Sequence, residues 1–223
     1  MASWSPENAT KAYITTLKME RKEKEPDSAE FISALAAGNN AQKMIIICTK
    51  KVNINNILAL VAAANQTGGL VNCILPDKHE RQSVQNSLKS NAKSINFIVD
   101  NNASEVLTQK EYYKETDFLL VDCNIQDYDQ IMRRATKGVK KGGVVVGFNA
   151  FCKGSSWQWG GLRTHLLPIG DGLLVTKIND GDLCKEVKSV RKSNWIVKVD
   201  QCTGEEHVFR VRSSQSRKLQ VSV

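Results

Sequence analysis

The sequence predicts an α/β protein built on a doubly wound, mostly parallel sheet. Three observations carry that expectation. Between Met44 and Phe148, short apolar runs alternate four times with helix-patterned segments and close on a fifth run. The runs begin near residues 44, 70, 95, 117 and 142, leaving roughly 25 residues per unit. That length is enough for a crossover helix, which forces neighbouring strands to be parallel. After Lys153 the rhythm breaks: Leu166–Ile169 and Leu173–Ile178 flank Gly170-Asp171-Gly172, a hairpin signal that ends the sheet with an antiparallel pair.

Each element has a local cause. Ser5-Pro6-Glu7 supplies an N-cap, a first-turn proline and an acid at the positive end of a helix carrying Ala9, Ala12, Tyr13 and Leu17. Asp27-Ser28-Ala29-Glu30 resembles a capping box and opens a second helix, with Phe31, Ile32, Leu35 and Ala36 on one face and Gly38 at its stop. The first strand, Met44–Thr49, is almost continuously apolar, as a strand covered on both faces should be. Asn53 caps the next helix, whose Ile54, Ile57, Leu58, Val61 and Ala62 follow helical spacing until Gly68-Gly69. Leu70–Leu75 is the second strand and Asp77 a cap-like start. Ile95–Asp100 is the third strand, followed by a short helix near Ser104–Lys110. Asp117–Asp122 is the fourth, a helix lined by Tyr128, Ile131, Met132 and Ala135 follows, and Gly142-Gly143 leads into Val144–Phe148. A further hairpin, Trp195–Val199 with His207–Val211, is expected in the tail.

Composition narrows the class. The chain has 223 residues, and its 41% hydrophobic content suffices for a buried core. No apolar run approaches the ~20 residues of a membrane span, and the start lacks the charged-then-apolar pattern of a secretory signal. A cytoplasmic or nuclear protein is expected. Six cysteines without any C-x-x-C pair read as buried thiols, and the three histidines lie too far apart in sequence to suggest zinc. The expected plan is two N-terminal helices over residues 1–40, the sheet domain over 41–180 and a basic appendage over 181–223. Of the net charge of +8, +5 falls between Lys185 and Val223, where nine basic residues face four acids. That appendage is either a solubilising tail or a surface for nucleic acid or an acidic partner.

Ligands of doubly wound sheets sit on the first strand–helix turn, where bare glycine backbone lets them approach. Here that turn reads Cys48-Thr49-Lys50-Lys51-Val52-Asn53, with no glycine. No P-loop and no G-x-G-x-x-G occurs.

Several segments carry a likeness. Pro26–Lys43, Phe118–Tyr128 (FLLVDCNIQDY) and Val139–Asn149 (VKKGGVVVGFN) resemble the pre-strand helix, strand 4 and strand 5 of cation-dependent, caffeoyl-coenzyme-A-type O-methyltransferases. The W-S-P-E-x-A-x-x-A-Y opening, A-L-A-A-G and L-L-P-I-G-x-G-L resemble a plant family of unknown function grouped with methyltransferases. Together the likeness runs from about Trp4 to Asn179. It implies a Rossmann-like methyltransferase fold, a mostly parallel seven-stranded sheet with a terminal antiparallel hairpin, and S-adenosylmethionine as cofactor.

The resemblance also implies roles. Thr49, Asp77, Asn101, Ala103 and Asp122 fall where the cofactor is held. Asn101 replaces the glycine of a Gly-x-Ala segment beside the adenine, and Leu75 stands where a ribose-gripping carboxylate is usual. Asp77, two residues on, is either that carboxylate or only a helix cap. Asp122 and Asn149 match two metal-ligand positions, but Phe148 stands where a second ligand acid belongs, so a divalent metal is not expected. Trp157 and Trp159 lie on the acceptor side, as pocket walls for a small molecule or as packing over the sheet end. Asp122 is the nearest candidate base. Two functions compete: a methyltransferase, acting on oxygen of a small molecule, or a catalytically degenerate relative serving as a binding or regulatory module.

Overall fold

A computed structural model describes residues 4–19, 27–49, 52–101, 115–125, 128–153, 164–178, 193–199 and 205–212. Seven strands form one sheet in the order β3-β2-β1-β4-β5-β7-β6. Their ranges are β1 Lys43–Ile47, β2 Leu70–Leu75, β3 Ile95–Val99, β4 Thr116–Asp122, β5 Val139–Phe148, β6 Thr164–Leu167 and β7 Leu173–Lys177. β1 to β5 are parallel, and β7 slots antiparallel between β5 and β6. The chain therefore reverses its winding between β1 and β4, and the carboxyl ends of these neighbours border the crevice in which such sheets bind ligands. The expected short helix near Ser104–Lys110 lies outside the described residues.

The helices α1 (Pro6–Met19), α2 (Ser28–Gly38), α3 (Ile54–Thr67) and α4 (Lys78–Leu88) share a core cluster on one face of the sheet. α5 (Tyr128–Gly138) packs Tyr128, Ile131 and Met132 on the other face. Local chemistry sets the helix ends. Asp27 and Glu30 close the expected capping box, with Asp27 N donating to Glu30 Oε2 at 2.7 Å. Asn53 Oδ1 accepts from the Asn55 and Asn56 N–H groups, and Gly68 ends α3 in the left-handed region.

Two expectations need correction. The sequence suggested that α3 has one apolar face, but Asn56 to Ala64 are buried all round. The cause is tertiary: α1 and α2 cover the outer side of α3, so the helix lies between two layers. The fifth strand was expected at Val144 and starts instead at Val139, running through Gly142-Gly143. Its pairing with β4 shifts register between Thr116 and Phe118, and Gly142 has φ +81°, an irregularity that glycine tolerates. Ladder bonds resume through Gly143 O, which accepts from Ile178 N.

The amino edge of the sheet is clamped by Asp117. Its Oδ2 accepts from the Gln42 and Lys43 N–H groups at 2.9 and 2.8 Å, and its Oδ1 pairs with Lys140. The tail hairpin forms as β8 (Ser193–Val199) and β9 (Glu206–Arg212), a separate two-stranded sheet. Val208 joins it to the α5 side by packing on that cluster.

Candidate functional site

The site grows from three adjacent strand ends. β4 ends at Asp122, in register with Phe148 of β5, while Thr49 lies two residues past the end of β1. Asp122 is 2% exposed, and its carboxylate is surrounded by donors. Thr49 Oγ1 donates to Oδ2 at 2.7 Å. The Asn149 side-chain amide and the Asn124 backbone N–H both donate to Oδ1 at 2.9 Å. These three donors fix the orientation of the buried carboxylate. Asn149 reaches it from a left-handed backbone at φ 58°, which asparagine adopts more readily than most residues. Thr49, Asp122 and Asn149, predicted separately, are brought together.

Next to them is a buried thiol pair. Cys48 follows β1 and Cys73 lies on β2, both within the helix-side core. The hydrogen bond with Cys73 pushes the Cys48 thiol well above its ordinary value. Burial adds to the rise, as do negative charge on Cys73 and the charges of Asp122 and Glu80.

Of the other expected site residues, Asp77 and Asn101 are described. Asp77 is the N-cap of α4: its Oδ1 accepts from Glu80 N at 2.8 Å. Asn101 is exposed just past β3, where Asp100 N donates to Leu75 O at 2.9 Å. Ala103, Trp157 and Trp159 lie outside the described residues, as do Lys50 and Lys51 of the first turn.

The donor set does not fit a divalent cation. Asn149 must present its NH₂ to Asp122, because a carboxylate offers no proton, and both Asp122 oxygens are engaged. Phe148, at the position of the missing acid, is buried in the core. Among the described residues no group of three or more His, Cys, Asp or Glu side chains converges. No helix among them is long and apolar enough to cross a membrane.

Residue reasoning missed two features of the site region. One is Asn124, which contributes a backbone donor and so leaves no side-chain signature. The other is the thiol pair, because Cys48 and Cys73 meet only through the β1–β2 register.

The fold and this site define the class: an α/β protein with a seven-stranded, Rossmann-like methyltransferase architecture. Residues 1–211 match the family model described as a protein of unknown function, DUF1442, and the chain belongs to that family. No curated protein matches it. Among solved structures it is similar to a candidate caffeoyl-CoA O-methyltransferase from Staphylococcus aureus, at 16% identity and TM-score 0.56 over 78% of this chain and 93% of that one. It is also similar to the SAH-bound methyltransferase PaMTH1 from Podospora anserina, at 13% identity and TM-score 0.57 over 80% and 91%. An O-methyltransferase from Bacillus cereus in complex with SAH aligns at 13% identity and TM-score 0.54 over 78% and 92%. Identities this low establish a shared fold.

Proposed function

We propose that the protein binds S-adenosylmethionine at the carboxyl ends of β1 and β4 and transfers its methyl group to an oxygen of a small molecule, in the cytoplasm or nucleus. The observation that carries this reading is Asp122, a buried carboxylate oriented by three donors at the reversal point of the sheet, beside Thr49. The SAH in the Podospora and Bacillus relatives supports the same choice.

The donor supplies an electrophilic methyl group; the chain supplies placement and proton handling. Thr49 donates its hydroxyl hydrogen bond to Asp122, so its oxygen lone pairs remain for the ligand. Asp77 and Asn101 border the ribose and adenine side, and Ala103, Trp157 and Trp159 complete the proposed pocket. An acceptor hydroxyl loses its proton to Asp122, which exchanges one of its three donors to take it.

One observation favours a second reading, a degenerate binding module. Each Asp122 oxygen already holds a donor, and Asp77 is engaged as a cap. Calorimetry and thermal unfolding with S-adenosylmethionine and S-adenosylhomocysteine separate the two. Ligand at about 100 times its dissociation constant stabilises the fold by roughly 2.7 kcal/mol. Binding without methyl transfer to any hydroxyl-bearing acceptor selects the module, and no binding at millimolar ligand removes the methyltransferase.

A further inference from the structure

Asp122 is a buried carboxylate bonded only by neutral donors: the Thr49 hydroxyl, the Asn149 amide and the Asn124 backbone N–H. Among the described residues no Lys, Arg or His pairs with it. Carboxylates taken out of water are normally matched by a cation. The hydrogen-bonding capacity left around Asp122 is mostly of one kind. Its Oδ1 already accepts twice, whereas Oδ2 accepts from Thr49 alone and keeps a free lone pair. Thr49 Oγ1 donates to Asp122 and so retains its own lone pairs. Asn149 turns its NH₂ towards the carboxylate, which leaves its Oδ1 as an acceptor without a partner among the described residues. Thr49 and Asn149 are half-buried, so both can be reached from the crevice without unfolding the strand ends.

We propose that Thr49, Asp122 and Asn149 bind the primary ammonium group of a small molecule, with N–H groups donated to Thr49 Oγ1, Asn149 Oδ1 and Asp122 Oδ2. A primary ammonium carries three donors and no acceptor, the complement of three open oxygens. Other cations fit less well. A guanidinium fork takes both oxygens of a carboxylate in parallel, and Oδ1 here is already filled by Asn149 and Asn124. A quaternary ammonium has no N–H and is held by aromatic faces, and none of the three side chains is aromatic. A divalent metal meets the Asn149 NH₂ group turned towards the carboxylate. Ammonium binding itself stands on these three side chains. Its consequence for the substrate rests on the methyltransferase reading: the acceptor is an alcohol that also carries a primary amine, anchored beside the carboxylate that takes the hydroxyl proton.

The test is calorimetric titration of the full chain at neutral pH with benzylamine, benzyl alcohol and benzyltrimethylammonium, which share a ring and differ in charge and N–H donors. Benzylamine binds at least about tenfold tighter than either of the others. Asp122→Asn, of the same shape, removes that preference. If the variant does not fold, nuclear magnetic resonance of the wild type takes its place: benzylamine shifts the Asn149 side-chain amide and the Asn124 N–H, and benzyl alcohol leaves both where they are. The proposal fails if benzylamine does not bind at millimolar concentration, or if benzyl alcohol or the quaternary cation binds as tightly. It also fails if Asp122→Asn keeps the preference, or if those two amides do not move. A separate titration with S-adenosylhomocysteine distinguishes the two readings. Its binding without an amine preference overturns this inference alone, and an amine preference without its binding supports this inference and removes the methyltransferase.

Discussion

Thr49 Oγ1 lies 2.7 Å from Asp122 Oδ2, although 73 residues separate the two in the chain. With Asn149, this contact ties the ends of β1, β4 and β5 into one polar knot. Replacing Asp122 by Ala strands three donors at once, so chemical denaturation should show a loss of about 3 kcal/mol. A loss below about 1 kcal/mol would mean that water replaces the carboxylate and the knot is not structural.

The buried Cys48 thiol yields a pH prediction. Its folded value is raised, so it keeps its proton in the folded chain at pH values where the unfolded chain has released it. Stability from this group is intact below the ordinary thiol value of about 8.5 and declines as pH climbs towards the raised value. Thermal unfolding of the wild type should therefore drop more steeply above pH ~8.5 than that of Cys48→Ala. Parallel curves for the two proteins would refute the assignment.

Asn56, 1% exposed in the first turn of α3, has no hydrogen-bond partner for either side-chain polar atom. Leucine has similar branching and no polar group to leave unmatched. Asn56→Leu should raise stability by about 1–2 kcal/mol, read as the midpoint of denaturant unfolding at unchanged slope. A fall instead would reveal that water or a ligand satisfies this amide in solution.

Two glycines test close packing with opposite expectations. A methyl at Gly69 would meet the carbonyl oxygens of Gln42 and Ala41 at 2.7 and 2.8 Å, and that backbone is held by the β1–β2 ladder. Gly69→Ala should cost about 2 kcal/mol. The nearest atoms that a methyl at Gly38 would meet belong to the Trp4 ring, which is half exposed and can swing away. Gly38→Ala should cost under about 1 kcal/mol and red-shift Trp4 emission, measured in a variant whose other tryptophans are replaced by Phe.

Local signals were legible in the residues: the capping box at Asp27, the cap at Asn53, the strand-sized runs and both hairpins. These depend on near neighbours, so spacing carries them. The Gly142-Gly143 pair misled because glycine punctuates turns as often as it absorbs a register shift, and only the pairing with β4 decides which. The site was legible in part. Thr49, Asp122 and Asn149 each stood at a strand end, yet their convergence depends on β1 and β5 flanking β4, a long-range fact. Asp77 was open to two readings, and the geometry places its carboxylate on the first turn of α4.

Trp4 lies against Gly38, and Gly170 in the β6–β7 turn abuts Asp27 at the head of α2. The tryptophan opening, the A-L-A-A-G stretch and the L-L-P-I-G-x-G-L stretch are thus stitches of a single seam between the leading helices and the sheet. The last of them also brackets the polar knot: Leu173 pairs with Phe148 and Gly172 O accepts from Ala150 N, one residue to either side of Asn149. Loosening that seam should therefore be felt at the crevice, because the strand that carries Asn149 is buttoned to the same turn that meets the leading helices.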